Sequence, residues 1–565
     1  MHGMTIIFPL KLNLFTRDMF YILNSSEKFT YTMFLDSSLL PNKYSLFSYL
    51  AFEPDFTVKG ERGSNEFLVF NESKIDFRQI LKETSSRETG SDSKTRKMTS
   101  SSDPFVYLRK ILNLFIDEKK NKIYIENPED TREIRDAVLN RAQKDRDRYI
   151  PDFTGGFTGY FSYDLKNHIE KLPQNTKHDL DVPLFYLMYF SSLLAYDHTR
   201  NIWLYIYNCP GFSNQKKDSE FAENLKAAIS RKIEILNGEI KSFKDKTGLS
   251  YIVNPLNTEN DLIEKQIIRK YRSREITGIN LRSNFSKGNY IKSVIKAKQY
   301  IHNGDIYQVN VTQRFHCRIN VEPYDLYYIL RKKNPAPYSA YLSFPELKVG
   351  SSSPERFLYL KNSHIQTRPI KGTRPRGMDE AEDKKYIGEL KESLKDRAEL
   401  NMIVDLERND LGKFCRYFSV KVSEHAVIEA YARVFHLVST VKGIVKKGYD
   451  IIDIIKSTFP GGSITGAPKI RAMEIIDELE PTARNIYTGS IGYIGNDGIM
   501  DLNIVIRTFI IKDGTFYYNV GGGIVEDSDP CAEYQETMDK GLALKETLDF
   551  FKYENLAHKS DGSFF

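Results

Sequence analysis

In "NYIKSVIKAKQYIHNGDIYQVNVTQRF" the apolar residues Tyr290, Val294, Ala297 and Ile301 recur at helical spacing, and Gly304 follows as a stop. A helix over 290–301 is predicted. The period then changes to two. Tyr307, Val309 and Val311 face one side of a predicted strand, and Gln308, Asn310 and Thr312 the other, so Gln308 points away from the apolar layer. Residues 486–523 read as a three-stranded meander with hairpin turns at "NDG" (496–498) and "DG" (513–514). Counting back from these turns, with a one-residue slip allowed, places Arg507 across from Tyr487 and beside Gly521. The run "VGGGIV" leaves bare backbone at the end of that line, which suits close approach by a ligand.

Two stretches repeat one charge pattern. Asp396 and Glu399 in "KDRAELNMIVDL", and Glu533 and Glu536 in "CAEYQETMDKG", are three apart and share a helix face. Two such faces turned on one cleft would supply hard oxygen ligands for Mg2+, although each pair alone reads more readily as a solvated helix face. "FPGGSITGAPKIRAMEIIDELEP" offers a glycine turn with hydroxyls at Ser463 and Thr465 and Pro468 at a helix start. Ile470, Met473, Ile476 and Leu479 follow at core spacing. Amides at such a start bind anions, but Ala467 and Pro468 stand where a nucleotide P-loop needs lysine and hydroxyl. His436, between apolar neighbours, reads by default as a core residue, and Glu355 as a turn cap.

Upstream, residues 85–104 are Ser/Thr-rich, charged and almost free of large apolar groups, which predicts a disordered loop or insertion. A polar stretch at 241–250 opens a weakly patterned region, so a boundary is placed between 1–284 and 285–553. "NIWLYIYNCP" and "GGFTGYFSYDL" read as strands and tight turns, and the start "MHGMTIIFPLKLNLF" as a strand. The 565-residue length predicts two domains or one large composite unit.

Composition narrows the function classes. Hydrophobic residues make up 41% and aromatics 13% of the chain, which is globular composition. The formal charge of +6 is dispersed, with no basic block interleaved with aromatics, so nucleic-acid binding is not expected. Nor is a membrane span, since no uninterrupted apolar run is long enough. Cys209, Cys317, Cys415 and Cys531 are far apart, which fits a reducing cytoplasm and neither a zinc site nor a disulfide framework.

The ordered blocks "GDIYQVN", "SSPERF", "PIKGTRPRG", "LERNDLG", "FHLVSTVKG", the Ser463 loop and "GGGIVEDSDPCAEYQET" resemble the chorismate-utilising enzymes, strongly over about residues 285–550. "FLDSSLLPNKYSLFSYL" and "GGFTGYFSYDL" carry a looser resemblance upstream. The resemblance implies an α+β unit of packed antiparallel sheets flanked by helices, like an anthranilate synthase large subunit, with substrate between the sheets. It puts Glu399 and Glu536 on Mg2+, with Asp396 and Glu533 behind them or sharing the ion. Glu355 becomes the general acid on the chorismate 4-hydroxyl, with His436 beside it. Tyr487, Arg507, Gly521, Gly522, Gly523, Lys540 and Ser463 become binders of substrate carboxylates.

Two positions separate the branches. Isochorismate and salicylate synthases carry a water-activating lysine where this chain has Gln308, and anthranilate synthases carry alanine where it has Lys371. "PIKGT" resembles the branch that aminates C4, where the lysine attacks C2 as the 4-hydroxyl leaves. Arg374 and Arg376, if turned inward, would lower the pKa of that amine. None of the four cysteines sits in the glycine-flanked turn of a triad glutaminase, so ammonia is expected from a separate glutamine amidotransferase subunit. The product would stop at 4-amino-4-deoxychorismate, on the way to p-aminobenzoate and folate. Where family members have a feedback pocket, Asp36, Ser37, Pro335 and Tyr338 mark the candidate lining of a residual amino-acid pocket.

Overall fold

Two large sheets face each other in the computed structural model. It describes residues 4–38 (apart from 11, 13 and 27), 46–70, 82–91 (apart from 85), 96–116, 122–125, 150–209, 218–247, 262–272 and 279–552. The first sheet runs from Gln308–Arg318 through Thr515–Ile524, Thr508–Lys512, Lys348–Ser353 and Tyr338–Ser343 into Thr32–Asp36, Phe47–Phe52 and beyond. The second runs from Ile370–Pro375 through Val434–Ile444, His364–Arg368 and Arg356–Lys361 to Ser490–Gly495, Gly156–Phe161 and Phe185–Phe190. Each sheet therefore draws strands from before and after residue 285. Their ladders are antiparallel except where Met4–Leu10 pairs with Lys122–Ile125.

Strand periodicity builds the layers. Leu193 and Ala195 face the core between the sheets, whereas Leu194 and Tyr196 face an outer cluster. The inner core joins Met33, Tyr49, Leu342 and Ile510 of one sheet to Tyr160, Tyr186, Met188 and Tyr493 of the other. Helices Thr16–Ser25 and Pro323–Lys333 cover the outside of the first sheet, and Pro104–Phe115, Leu394–Gly412 and Ile451–Thr458 that of the second. Packed antiparallel sheets flanked by helices are thus the observed architecture.

Local readings survive where burial enforces them. Lys287–His302 is a helix that buries Tyr290, Val294 and Ala297, with Gly304 beyond it at φ +81. Val309 and Val311 pack beneath it, but Tyr307 precedes the strand and is 73% exposed. In the same way Met473, Ile476 and Leu479 are buried on helix Lys469–Leu479 while Ile470 is exposed, because it sits in a first turn that no neighbour covers.

Three expectations are corrected. Residues 87–91 and 96–100 are not a loop but a hairpin pairing with Ser64–Val69 at a sheet edge, where backbone hydrogen bonds order a chain that has little to bury. The polar residues 241–247 end a 30-residue helix, Asp218–Thr247; residues 248–250 lie outside the described residues. The meander is two hairpins, not one sheet. Ser490–Gly495 and Met500–Asn503 belong to the second sheet, whereas Thr508–Lys512 and Thr515–Ile524 belong to the first. The chain crosses between them at residues 504–507, and Arg507 has φ +52. Gly521 consequently pairs with Thr312, not with Arg507.

Candidate active site

Lys371 stands on Ile370–Pro375 opposite Leu437, and a register shift between Lys371 and Thr373 follows it. Gly372 absorbs that shift at φ +72, and a Cβ there would lie 2.9 Å from Leu390 Cδ1 and 3.0 Å from Asp396 Cβ. Both conformation and space require glycine. On the other sheet, a Cβ at Gly523 would lie 2.5 Å from Gln308 Nε2 and 3.3 Å from Lys371 Nζ. The bare backbone therefore admits the half-buried amine. The side-chain amide of Gln308 is buried with no hydrogen-bond partner on either atom among the described residues.

Burial pushes the Lys371 amine down and the Lys540 ammonium adds to that effect, while the charges of Glu399, Glu355 and Glu536 oppose it. The two arginines expected to do this are turned elsewhere. Arg374 Nη2 donates to Asp396 Oδ2 at 3.0 Å, and Arg376 Nε donates to Asp383 Oδ1 at 3.1 Å. An arginine engaged by a carboxylate exerts little net field on a neighbouring amine.

Glu355 is buried just before strand Arg356–Lys361. Burial lifts its carboxyl to about 7, against the Ser463 hydrogen bond and the Lys371 charge. At neutral pH it can give or take a proton. His436, also buried, has Nδ1 2.9 Å from Thr373 Oγ1. Burial first and then the Arg507 charge push its imidazole down to about 3, so it is neutral at physiological pH. The default reading of both residues by sequence, as cap and core, missed these surroundings.

The two acidic pairs lie on helices Leu394–Gly412 and Pro530–Lys540. Ser393 Oγ caps the first by accepting from the Asp396 N–H. Asp529 caps the second by accepting from the N–H groups of Cys531 and Ala532. A Cβ at Gly522 would lie 3.0 Å from Glu533 Oε2 and 3.6 Å from Glu536 Oε1, so both carboxylates rest against its backbone. Glu533 Oε1 accepts the Ser528 hydroxyl at 2.6 Å, and Oε2 is buried without a partner among the described residues. Burial raises Glu399 and Glu533; Glu399 and Glu536 each feel the Lys371 charge. Burial alone would raise Glu536 too, but Lys540, 2.6 Å away, together with Lys371 and Lys395, outweighs it and holds the carboxyl down.

Among the described residues no group of three ligating side chains converges on one point. Mg2+ does not need one, since it takes one or two carboxylates and keeps positions for water and an anionic substrate. The hard oxygens of Glu399, Glu533 and Glu536, one of them unpaired, fit such an ion.

The candidate anion binders are spread around this centre. Lys540 Nζ donates to the Gly521 carbonyl at 3.1 Å. Arg507 Nη1 donates to Asn334 Oδ1 at 3.3 Å, and Tyr487 is buried within reach of the Arg484 and Glu480 charges. Sequence reading overlooked that buried Arg484–Glu480 pair, which ties Asn310 and Thr312 to the Ser463 loop. It also overlooked Glu407 and Asp410, although the same three-residue spacing that exposed the other acidic pairs would have found them.

The amino-acid pocket residues lie elsewhere, between the sheets. Asp36, Ser37 and Tyr338 line a cavity of about 330 Å3 with Tyr49, Arg356 and Asp501. Pro337 completes the lining in place of Pro335, two residues earlier on the chain. Asp36 is held by Arg331, Nε to Oδ2 at 2.6 Å, and Ser37 Oγ donates to the Phe47 carbonyl at 2.8 Å. Among the described residues no helix is long and apolar enough to cross a membrane.

Comparison with known proteins supplies the rest of the context. The family model described as chorismate binding enzyme matches residues 99–546. The aminodeoxychorismate synthase component 1 of Bacillus subtilis is 38% identical over 406 residues, 72% of this chain and 79% of that protein. The anthranilate synthase component 1 of Aquifex aeolicus is also 38% identical, over 404 residues covering 71% and 76%. The crystal structure of anthranilate synthase component I from Streptococcus pneumoniae superposes with a TM-score of 0.64 at 26% identity, covering 90% of this chain and 94% of that one.

Proposed function

Because the chain belongs to the chorismate binding enzyme family, we propose that it is the large subunit of an aminodeoxychorismate synthase, which aminates chorismate at C4. The observation that carries this reading is Lys371, a lysine whose amine meets the Gly523 backbone and whose burial favours the neutral, nucleophilic form. Burial lifts its neighbour Glu355 to about 7, so that near neutral pH this carboxyl can hold or give up a proton.

In this reading the Lys371 lone pair forms a bond to ring C2, the double bonds shift, and the C4–O bond breaks. Glu355 gives its proton to the departing oxygen, which leaves as water. Ammonia then bonds to C4, the double bonds shift back, and the C2–N bond to Lys371 breaks. The new ammonium returns a proton to Glu355, so the enzyme ends as it began. Lys540, Arg507, Ser463, Tyr487 and the amides of Gly521, Gly522 and Gly523 hold the substrate carboxylates. Neutral His436 borders the same space and orients the leaving group. Gln308 offers an amide where water addition would need a base.

Glu399 and Glu536 would hold Mg2+, with Glu533 and Asp396 behind them. Bound there, the ion supplies Lewis-acid neutralisation of a substrate carboxylate. Ammonia would come from a separate glutamine amidotransferase subunit, in keeping with the component 1 names of the relatives, and the reaction would take place in the cytoplasm.

The equal similarity to anthranilate synthases supports one second reading, amination at C2 with loss of pyruvate. Incubating the protein with chorismate, Mg2+ and ammonium chloride, with and without aminodeoxychorismate lyase, separates the two. p-Aminobenzoate formed only with the lyase supports C4 amination; anthranilate formed without it overturns that reading.

A further inference from the structure

Glu533 is held in a way that its neighbour Glu536 is not. Both lie on helix Pro530–Lys540 with oxygens against the Gly522 backbone. Glu536 is paired with the Lys540 ammonium 2.6 Å away, whereas Glu533 Oε1 accepts the neutral Ser528 hydroxyl at 2.6 Å. A cation beside Glu533 would cancel the charge of the carboxylate and compete with any ion it binds. A hydroxyl orients the group and leaves its charge in place.

Ser528 has little freedom of its own. It is 1% exposed, in the turn between strand Thr515–Ile524 and the helix. Its N–H donates to the Val525 carbonyl at 3.1 Å, and its carbonyl accepts Lys298 Nζ at 2.7 Å, so helix Lys287–His302 steadies the turn from outside. Its Oγ accepts the Val525 N–H at 3.1 Å. An N–H can only donate, so that contact uses a lone pair of Oγ and leaves the hydroxyl proton for Glu533.

Glu533 is thereby fixed at both ends. Its N–H donates to the Asp529 carbonyl at 2.9 Å in the first helical turn, and its side chain folds back onto Ser528. What stays open is Oε2, buried with no hydrogen-bond partner among the described residues and 3.0 Å from where a Cβ at Gly522 would stand. Leaving a buried carboxylate oxygen bare is costly unless something outside the chain takes it.

We propose that Ser528 is a positioning residue for metal binding: its hydroxyl engages one oxygen of Glu533 and so keeps the other, with the charge of the carboxylate, at the Gly522 backbone for a divalent ion or one of its waters. The inference rests on the reading above in which these carboxylates hold Mg2+. Partners that orient a metal-binding carboxylate without touching the ion change metal affinity by about ten- to a hundredfold.

Mn2+, which takes the same oxygen ligands as Mg2+, tests this through the paramagnetic resonance signal of the free ion. It is titrated against wild type, Ser528→Ala, Glu533→Gln and the double variant, with chorismate present and ammonium absent so that no amination occurs. Ser528→Ala should weaken Mn2+ binding about tenfold. In the Glu533→Gln background, where binding is already weakened, the same change should alter it by less than about twofold. Wild-type affinity in Ser528→Ala overturns the proposal, and so does an equal loss in both backgrounds, which marks a merely structural residue. Should Ser528→Ala not fold, Ser528→Cys, whose thiol is a weaker donor, should still bind Mn2+ less tightly than wild type, and undiminished binding overturns the proposal. Wild type that takes up no Mn2+, or Glu533→Gln that binds it like wild type, overturns instead the reading of Glu533 as a metal holder, and the proposal with it. None of these outcomes depends on whether ammonia enters at C2 or C4.

Discussion

Arg374 Nη2 lies 3.0 Å from Asp396 Oδ2, so this guanidinium braces the first turn of the Glu399 helix and leaves Lys371 to be tuned by burial. Arg374→Gln should therefore shift the pH dependence of Lys371 acetylation by less than about 0.3 unit. The pair is partly exposed, and its loss should cost under about 1 kcal/mol of stability in a denaturant titration. A clear rise in the pH at which the amine becomes reactive would show that Arg374 does act on it.

Lys371→Ala should reduce C4 amination by about two orders of magnitude or more, with chorismate affinity and Mg2+ dependence retained. Product formation at the wild-type rate, followed by chromatography with added lyase, would remove the covalent step.

Glu355 predicts a pH profile. Its carboxyl is held near 7 in the folded protein and in the proposed reaction must be protonated to assist departure of the hydroxyl, so activity should fall as pH rises through about 7. The sign for stability follows from the same shift. Between the ordinary carboxyl range and about 7 the folded state keeps a proton that the unfolded chain releases, so this group's contribution declines as pH rises through that window. Glu355→Gln should lose the alkaline limb of the profile and about 10²- to 10⁴-fold in rate. A retained limb would assign it to another group.

Glycines of one sequence type should divide by what surrounds them. Gly522→Ala places a Cβ against Glu533 and Glu536 oxygens alone, so the fold should survive while the Mg2+ concentration for half-maximal activity rises about tenfold. Gly492→Ala puts a Cβ 1.9 Å from the Asp501 carbonyl oxygen inside a sheet and should cost about 1–3 kcal/mol or more. Melting curves and Mg2+ titrations of the two variants check this, and an unchanged Mg2+ requirement in Gly522→Ala would separate Gly522 from the carboxylates proposed to hold the ion.

What short-range pattern could determine, it did. The spacings of Asp396 with Glu399 and of Glu533 with Glu536, the helix ending before Gly304, and both hairpin turns follow from backbone geometry within a few residues, so they were legible along the chain. Tertiary structure decided whatever depends on a partner distant in sequence. It divided the apparent meander between two sheets at Arg507 and turned Arg374 toward Asp396. It paired the polar strands 87–91 and 96–100 at a sheet edge and left Tyr307 and Ile470 exposed at the ends of otherwise buried patterns. It also buried Glu355 and so lifted its carboxyl to about 7. Desolvation and hydrogen-bond pairing set those outcomes, and both arise only once distant segments have closed over the same groups.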